Sequence, residues 1–230
     1  MTSTDPRPVA LVTGATGGMG VEIVRDLVRT HHVIALGRDA DALASLAAET
    51  GAETRVADLL SPETLEQVVT PSERIDVLVH TAAIGEHLSV EKASVADWQR
   101  QLTTNVIAAA ELTRAALPSL RAAEGTIVFI GSGAGTRPVP GSAIYAASKH
   151  ALKALADTLR IDEEKHRVRV VTVAPGQTAT KMSGELTEEK LARYIKPTSV
   201  AATVRFVIDS PADVHLTDIA VRPRQEITRL

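Results

Sequence analysis

The sequence predicts an α/β domain, a doubly wound parallel sheet with helices on both faces. Three observations carry this expectation: short β-branched runs alternate with longer helical segments, those runs are apolar without polar alternation, and a glycine-rich turn joins the first run to the first helix. The runs are Val9–Val12, Val33–Leu36, Val77–Val79, Thr126–Ile130 and Val168–Val173, each too short for a helix and bounded by Gly, Asp, Ser or Pro. A further strand is expected at Glu53–Ala57. Between the runs, Val21, Val24, Leu27 and Val28 share one helical face, as do Leu43, Leu46 and Ala47, and Leu102, Val106 and Ala109.

At 230 residues the chain is expected to form a single domain over its whole length, since domains average roughly 150 residues. Its 44% hydrophobic and 23% charged residues are those of a folding chain. Twenty-five Lys and Arg against 28 Asp and Glu leave a net charge of −3 without blocks of like charge, which argues against nucleic-acid or membrane-surface partners. A small-molecule partner is expected instead. With no cysteine, the sequence has no disulfide, thiolate metal site or Cys nucleophile. The polar stretch Met1–Pro8 and the short apolar run after it do not form a signal peptide or spanning helix, so the protein is expected to be cytoplasmic.

Thr13-Gly14-Ala15-Thr16-Gly17-Gly18-Met19-Gly20 lies between the first strand and the first helix. Glycines there allow a tight turn and close approach of a pyrophosphate, whose charge the helix N–H groups and dipole favour. The spacing fits both Thr-Gly-x-x-x-Gly-x-Gly and Thr-Gly-x-x-Gly-x-x-Gly. Dinucleotide binding on a Rossmann-like sheet is the better explanation than a merely tight turn. The second strand ends in Gly37-Arg38-Asp39. Arg38 there favours a ribose 2′-phosphate and hence NADP(H) over NAD(H), the alternative being a solvated surface charge. Asp39 reads as a helix N-cap. Asp58 either accepts from an adenine amino group or caps the segment after Leu60.

Tyr145 and Lys149 stand four residues apart and so share a helical face. A nearby ammonium lowers the pKa of a phenol, whose ordinary value of about 10 is high for proton exchange near neutrality. Ser132, 13 residues before Tyr145, opens the glycine-rich loop Gly131–Ser142, where a hydroxyl can hydrogen-bond a substrate oxygen.

Together and in this order, these motifs resemble the short-chain dehydrogenase/reductase family, in its compact single-domain form, from Leu11 to about Pro223. The resemblance implies reduction of a ketone or aldehyde to an alcohol, or the reverse. It makes Tyr145 the general acid/base, Lys149 the residue that lowers its pKa and holds the nicotinamide ribose, and Ser132 the one that orients the carbonyl. Asn105 corresponds to the family's helix Asn that holds a water in the proton relay, and otherwise reads as a buried Asn interrupting a helix. The implied cofactor contacts are Gly14, Thr16, Gly18, Met19, Gly20, Arg38, Asp58, Leu59, Ala82, Tyr145, Lys149, Pro175, Thr178 and Thr180.

His80-Thr81-Ala82-Ala83 replaces the family's Asn-Asn-Ala-Gly, so His80 is expected to hydrogen-bond in the core in place of an Asn that stabilises the sheet. Thr178 stands where the Pro-Gly motif usually carries an aliphatic residue. The substrate pocket is expected from Ile84–Leu88, Gly133–Ile144 and Gln177–Leu186, bordered by Arg137 and Lys181. With 2% aromatic residues in the chain, aromatic stacking is not its expected basis. His31 and His32 have no third ligand nearby and read as structural rather than metal-binding. Trp98 is expected to pack at the start of its helix. The resemblance further implies a homodimer or homotetramer, with the helices bearing Asn105 and Tyr145 at the interface. The rivals to NADP(H)-linked catalysis are an NAD(H)-dependent alcohol dehydrogenase, disfavoured by Arg38, and a non-catalytic NADP(H) sensor, disfavoured by retention of Tyr145 and Lys149.

Overall fold

The computed structural model describes residues 6–61, 65, 67–69 and 74–225. Met1 to Asp5 of the polar N-terminal stretch, and most of the segment after Leu60, lie outside them.

Seven parallel strands form one sheet: β1 (Val9–Thr13), β2 (His32–Gly37), β3 (Glu53–Val56), β4 (Val77–His80), β5 (Thr126–Ile130), β6 (Arg169–Pro175) and β7 (Asp218–Val221). Their spatial order is β3-β2-β1-β4-β5-β6-β7. The order reverses between β1 and β4, where a doubly wound sheet opens its ligand crevice at the strands' carboxyl ends. Side chains alternate across the sheet. Ala10 and Val12 of β1 face the core beneath α1 (Gly18–Leu27), α2 (Ala40–Thr50) and α7 (Pro197–Ile208). Leu11 faces the other way, towards α4 (Ala108–Ala123) and α5 (Ala143–Glu163). Both faces of every central strand are therefore dry, which is why β1 reads as an unbroken apolar run.

Local signals set the helix ends. Asp39 caps α2, accepting from the Ala42 N–H at 3.0 Å, and Gly51 ends it in the left-handed conformation at φ 72°. Ser94 and Asp97 form a capping box at the start of α3 (Val95–Leu102), and half-buried Trp98 lies in its first turn. α6 is the short helix Glu188–Arg193.

Two features differ from the sequence expectation. β7 was not anticipated: Asp218-Ile219-Ala220-Val221 is a four-residue strand at the sheet edge, alternately exposed and half-buried, with only three apolar residues in a row. The helix containing Asn105 is not continuous α-helix: Thr103–Ile107 form a π turn, with the Ala108 N–H donating to the Thr103 carbonyl. The extra residue shifts the buried stripe to Gln101, Asn105, Ala109 and Leu112, leaving Leu102 and Val106 half-buried.

Candidate active site

The crevice at the carboxyl ends of β1, β4, β5 and β6 holds two adjoining clefts that share Met19, Thr180 and Met182. The first, about 620 Å³, is lined by Gly14, Thr16, Gly18, Met19 and Gly20 of the turn, with Arg38, Asp58, Leu59 and Ala82. Gly14 has φ +61°, and a Cβ there would lie 2.7 Å from the Ala82 Cα. The close approach is fixed by the Ala82 N–H, which donates to Thr13 Oγ1 at 3.3 Å, and by a hydrogen bond from Thr81 Oγ1 to the Thr13 carbonyl. A Cβ on Gly18 would lie 2.9 Å from Thr180 Cγ2.

A nicotinamide dinucleotide fits this cleft. Gly17, the residue before helix α1, offers no side-chain cap, so the helix's first N–H groups and positive dipole end face the cleft as an anion site. The glycines leave the backbone bare on that side. Arg38 is exposed on the rim, at the end of β2. Asp58 accepts from the Leu60 N–H at 3.0 Å, so it closes its own turn while also lining the cleft.

The second cleft, about 530 Å³, contains Ser132, Tyr145, Pro175, Thr178 and Thr180. Ser132 follows β5 and caps a 3₁₀ turn, its Oγ accepting from the Ala134 N–H at 3.1 Å. It shares this cleft with the Tyr145 phenol. Tyr145 and Lys149 project from the first turns of α5, as the four-residue spacing requires. Lys149 is buried; its Nζ donates to the Ile130 carbonyl at 2.9 Å and lies 5.9 Å from the centre of the Tyr145 ring.

Burial lowers the Lys149 pKa to about 8. Tyr145 departs from expectation. Burial pushes the phenol up from its ordinary value, opposed by the neighbouring Ser132 hydroxyl, while the Lys149 ammonium is turned towards Ile130.

Asn105 is buried in the π turn and braces the wall of the site. Its Oδ1 accepts from the Ile84 N–H at 2.8 Å, and its Nδ2 donates to the Ile84 carbonyl at 2.9 Å and to Ser148 Oγ at 3.0 Å. Thr178 is buried and donates to the Gly176 carbonyl at 3.0 Å, so its hydroxyl serves the loop itself. His80 packs as expected, its Nε2 2.9 Å from Thr113 Oγ1 and its ring stacked on Phe129.

Arg137 lines the second cleft, but Lys181 lines the first, because the 3₁₀ turn Lys181–Ser183 directs it towards the nucleotide side. Sequence reasoning did not single out His87, whose Nδ1 lies 2.6 Å from Ser142 Oγ and whose ring leans on Tyr145. It also missed Arg222 and Pro223, which enter from beyond β7 and carry no local motif. Buried His31 contacts Thr30 Oγ1, and His32 contacts Glu53. Among the described residues no three His, Asp or Glu side chains gather as a metal-sized cluster, and no helix is long and apolar enough to cross a membrane.

Comparison with known proteins decides the family, for the short chain dehydrogenase profile matches residues 8–191. This chain belongs to the short-chain dehydrogenase/reductase family. It is similar to the NADP-dependent 3-hydroxy acid dehydrogenase of Salmonella typhi, 32% identical over 236 residues that cover 94% of each chain. An uncharacterized oxidoreductase of Mycobacterium tuberculosis is 34% identical over 230 residues, covering 95% of this chain and 92% of that one. Among solved structures, the closed form of serine dehydrogenase complexed with NADP+ superposes with a TM-score of 0.87 at 30% identity, covering 96% of this chain and 98% of the other. This short-chain dehydrogenase/reductase thus shares its fold with a dehydrogenase whose structure holds NADP+.

Proposed function

We propose that this chain is one dinucleotide-binding and catalytic domain that interconverts a ketone or aldehyde and an alcohol with NADP(H). The observation that carries the reading is the placement of Ser132 and Tyr145 in one cleft, with buried Lys149 one helical turn from Tyr145, beside the glycine-lined cleft. A bound nicotinamide nucleotide supplies or takes the hydride, which no side chain of the protein can do. In the reductive direction Tyr145 gives its phenolic proton to the substrate oxygen, and Ser132 donates a hydrogen bond where negative charge develops. Lys149, turned from Ile130 towards the phenol, favours the phenolate that remains and holds the nicotinamide ribose. Asn105 positions Ile84 and Ser148 and holds the water of the proton relay.

Gly14, Thr16, Gly18, Met19 and Gly20 would hold the pyrophosphate side, Asp58, Leu59 and Ala82 the adenosine side, and Pro175, Thr178 and Thr180 the carboxamide. Arg38 on the rim of the first cleft supports NADP(H) over NAD(H). A homo-oligomer joined through α4 and α5 is supported by the exposed apolar side chains Ile107 and Ile161 on this side of the sheet.

Paired titrations with NADPH and NADH, followed by nicotinamide fluorescence, test the cofactor reading. NADPH should bind the more tightly, and Arg38→Ala should narrow the preference by about 10- to 100-fold, the value of one charge-assisted hydrogen bond. Equal losses for both nucleotides would remove the phosphate contact. Tyr145→Phe should abolish carbonyl reduction while NADPH still binds; unchanged turnover would remove the proton-donor role.

A further inference from the structure

The reaction described above leaves one side chain of the second cleft unused. His87 lines it beside Ser132 and Tyr145, its ring against the phenol ring with 5.5 Å between centres and a tilt of 54°. The loop that carries it is held from two sides. On one side, fully buried Gln101 accepts from the Glu86 N–H at 3.2 Å, and Asn105 pairs with both backbone groups of Ile84. On the other, the Ala143 N–H donates to the Leu88 carbonyl at 2.9 Å, and Ser142 Oγ lies 2.6 Å from His87 Nδ1. The imidazole is therefore fixed to the start of the same helix that carries Tyr145.

The Ser142 contact decides which ring nitrogen carries the proton. Ser142 is buried, and among the described residues His87 Nδ1 is the one partner of its hydroxyl. A buried O–H left without an acceptor is costly, so the hydroxyl donates and Nδ1 accepts. The ring N–H then stands on Nε2, which has no partner among the described residues. Exposed His87 thus offers the cleft a third donor besides the hydroxyls of Ser132 and Tyr145. Those two hydroxyls suffice for one reacting oxygen. A further donor, free and held in place by its neighbours, suits a second oxygen of the same molecule.

We propose that His87 binds substrate, and that the substrate carries a second, uncharged oxygen near its reacting carbonyl. That oxygen accepts from His87 Nε2–H while Ser132 and Tyr145 take the carbonyl oxygen. The contact between the imidazole and phenol rings keeps the two oxygens a few bonds apart. A hydroxyl, ether or second carbonyl oxygen on the carbon next to the reacting one, or on the carbon beyond it, meets the requirement. This names the substrate class of the same site and rests on the reading of Ser132 and Tyr145 given above.

The test pairs ketones that differ by one oxygen in place of one methylene: 1-methoxypropan-2-one with pentan-2-one, and 4-methoxybutan-2-one with hexan-2-one, each followed by NADPH oxidation. The readout is the ratio of kcat/KM within a pair, in which any general effect of a variant on Tyr145 cancels. In at least one pair His87→Leu should reduce that ratio about tenfold, mainly through KM, and His87→Gln should keep most of it because its amide N–H reaches where Nε2–H stood. Ser142→Ala, which frees the ring, should reduce it by less. His87 is exposed, so its variants are expected to fold. Spectroscopy covers the case of slow turnover. In nitrogen NMR spectra of the NADP+-saturated protein the His87 proton should reside on Nε2, and the Nε2 signal should shift on titration with one of the methoxy ketones but not with its hydrocarbon counterpart.

Ratios indifferent to His87→Leu, an Nε2 signal that neither methoxy ketone moves, or a ring proton found on Nδ1 would overturn the role of His87. Those failures differ from failure of the underlying reading: if NADPH binds and the plain ketones are reduced by a route that Tyr145→Phe abolishes, only the inference about the second oxygen falls.

Discussion

His80 is the sharpest place to test the physical reasoning, because its environment makes a pH-dependent prediction of definite sign. It ends β4, fully enclosed, with its ring stacked on Phe129 at 4.8 Å and its Nε2 against Thr113. Burial drives its pKa down from 6.5 to about 3. Between those values the unfolded chain binds a proton that the folded chain refuses, so stability rises with pH across the window and falls as the solution is acidified. Each pH unit below 6.5 costs about 1.4 kcal/mol, so moving from pH 7.5 to 5.0 removes about 2 kcal/mol through this residue alone.

Other shifted groups leave the comparison clean. Lys149, with a folded pKa of about 8, begins to lose its proton only at the top of that range, and the small slope it adds, of the same sign, is common to wild type and variant. Burial lowers His31 too, with the same sign, but it is common to wild type and variant. The assay is urea unfolding of wild type and His80→Asn at pH 7.5 and 5.0. With an m-value of roughly 2–3 kcal/mol/M, the wild-type midpoint should fall by about 1 M more than the variant's. The variant will also differ at pH 7.5, since it loses the stack, so the readout is the difference in pH slope. Parallel pH dependences would refute the claim that His80 folds neutral.

Two further perturbations test the turn and the packing. Gly14→Ala places a side chain at φ +61° and drives its Cβ towards the Ala82 backbone; it should destabilise the fold by at least about 2 kcal/mol and weaken NADPH binding, as thermal unfolding and fluorescence titration would show. Glu163→Gln breaks the pair in which the buried Glu163 carboxylate accepts from Arg121 Nε at 2.7 Å and Nη2 at 2.6 Å, for a loss of about 1–2 kcal/mol at pH 7. Since Arg121 holds the Glu163 pKa below its ordinary value, the wild-type advantage is complete above that ordinary value and lost as pH falls through the folded one. Unfolding curves of the two proteins should therefore converge in acid.

The sequence by itself determined six of the seven strands, the nucleotide turn and the spacing of Tyr145 and Lys149, because each follows from interactions over a few residues. Apolar strands covered on both faces leave a run in the sequence, a turn that must admit a close backbone leaves glycines, and two groups on one helical face leave a spacing of four. Asp39 could be read as an N-cap for the same reason, its partner Ala42 being three residues away. The π turn at Asn105 was not legible, since the extra residue per turn is set by what Asn105 reaches, namely Ile84 and Ser148, 21 and 43 residues distant. Nor could spacing reveal that Lys149 turns to Ile130 and that burial raises Tyr145; desolvation depends on everything that surrounds a group. The entry of Arg222 into the second cleft beside Arg137 was decided only by tertiary structure. It depends on β7 joining the sheet beside β6, and pairing between distant strands brings side chains together without leaving a local pattern in either segment.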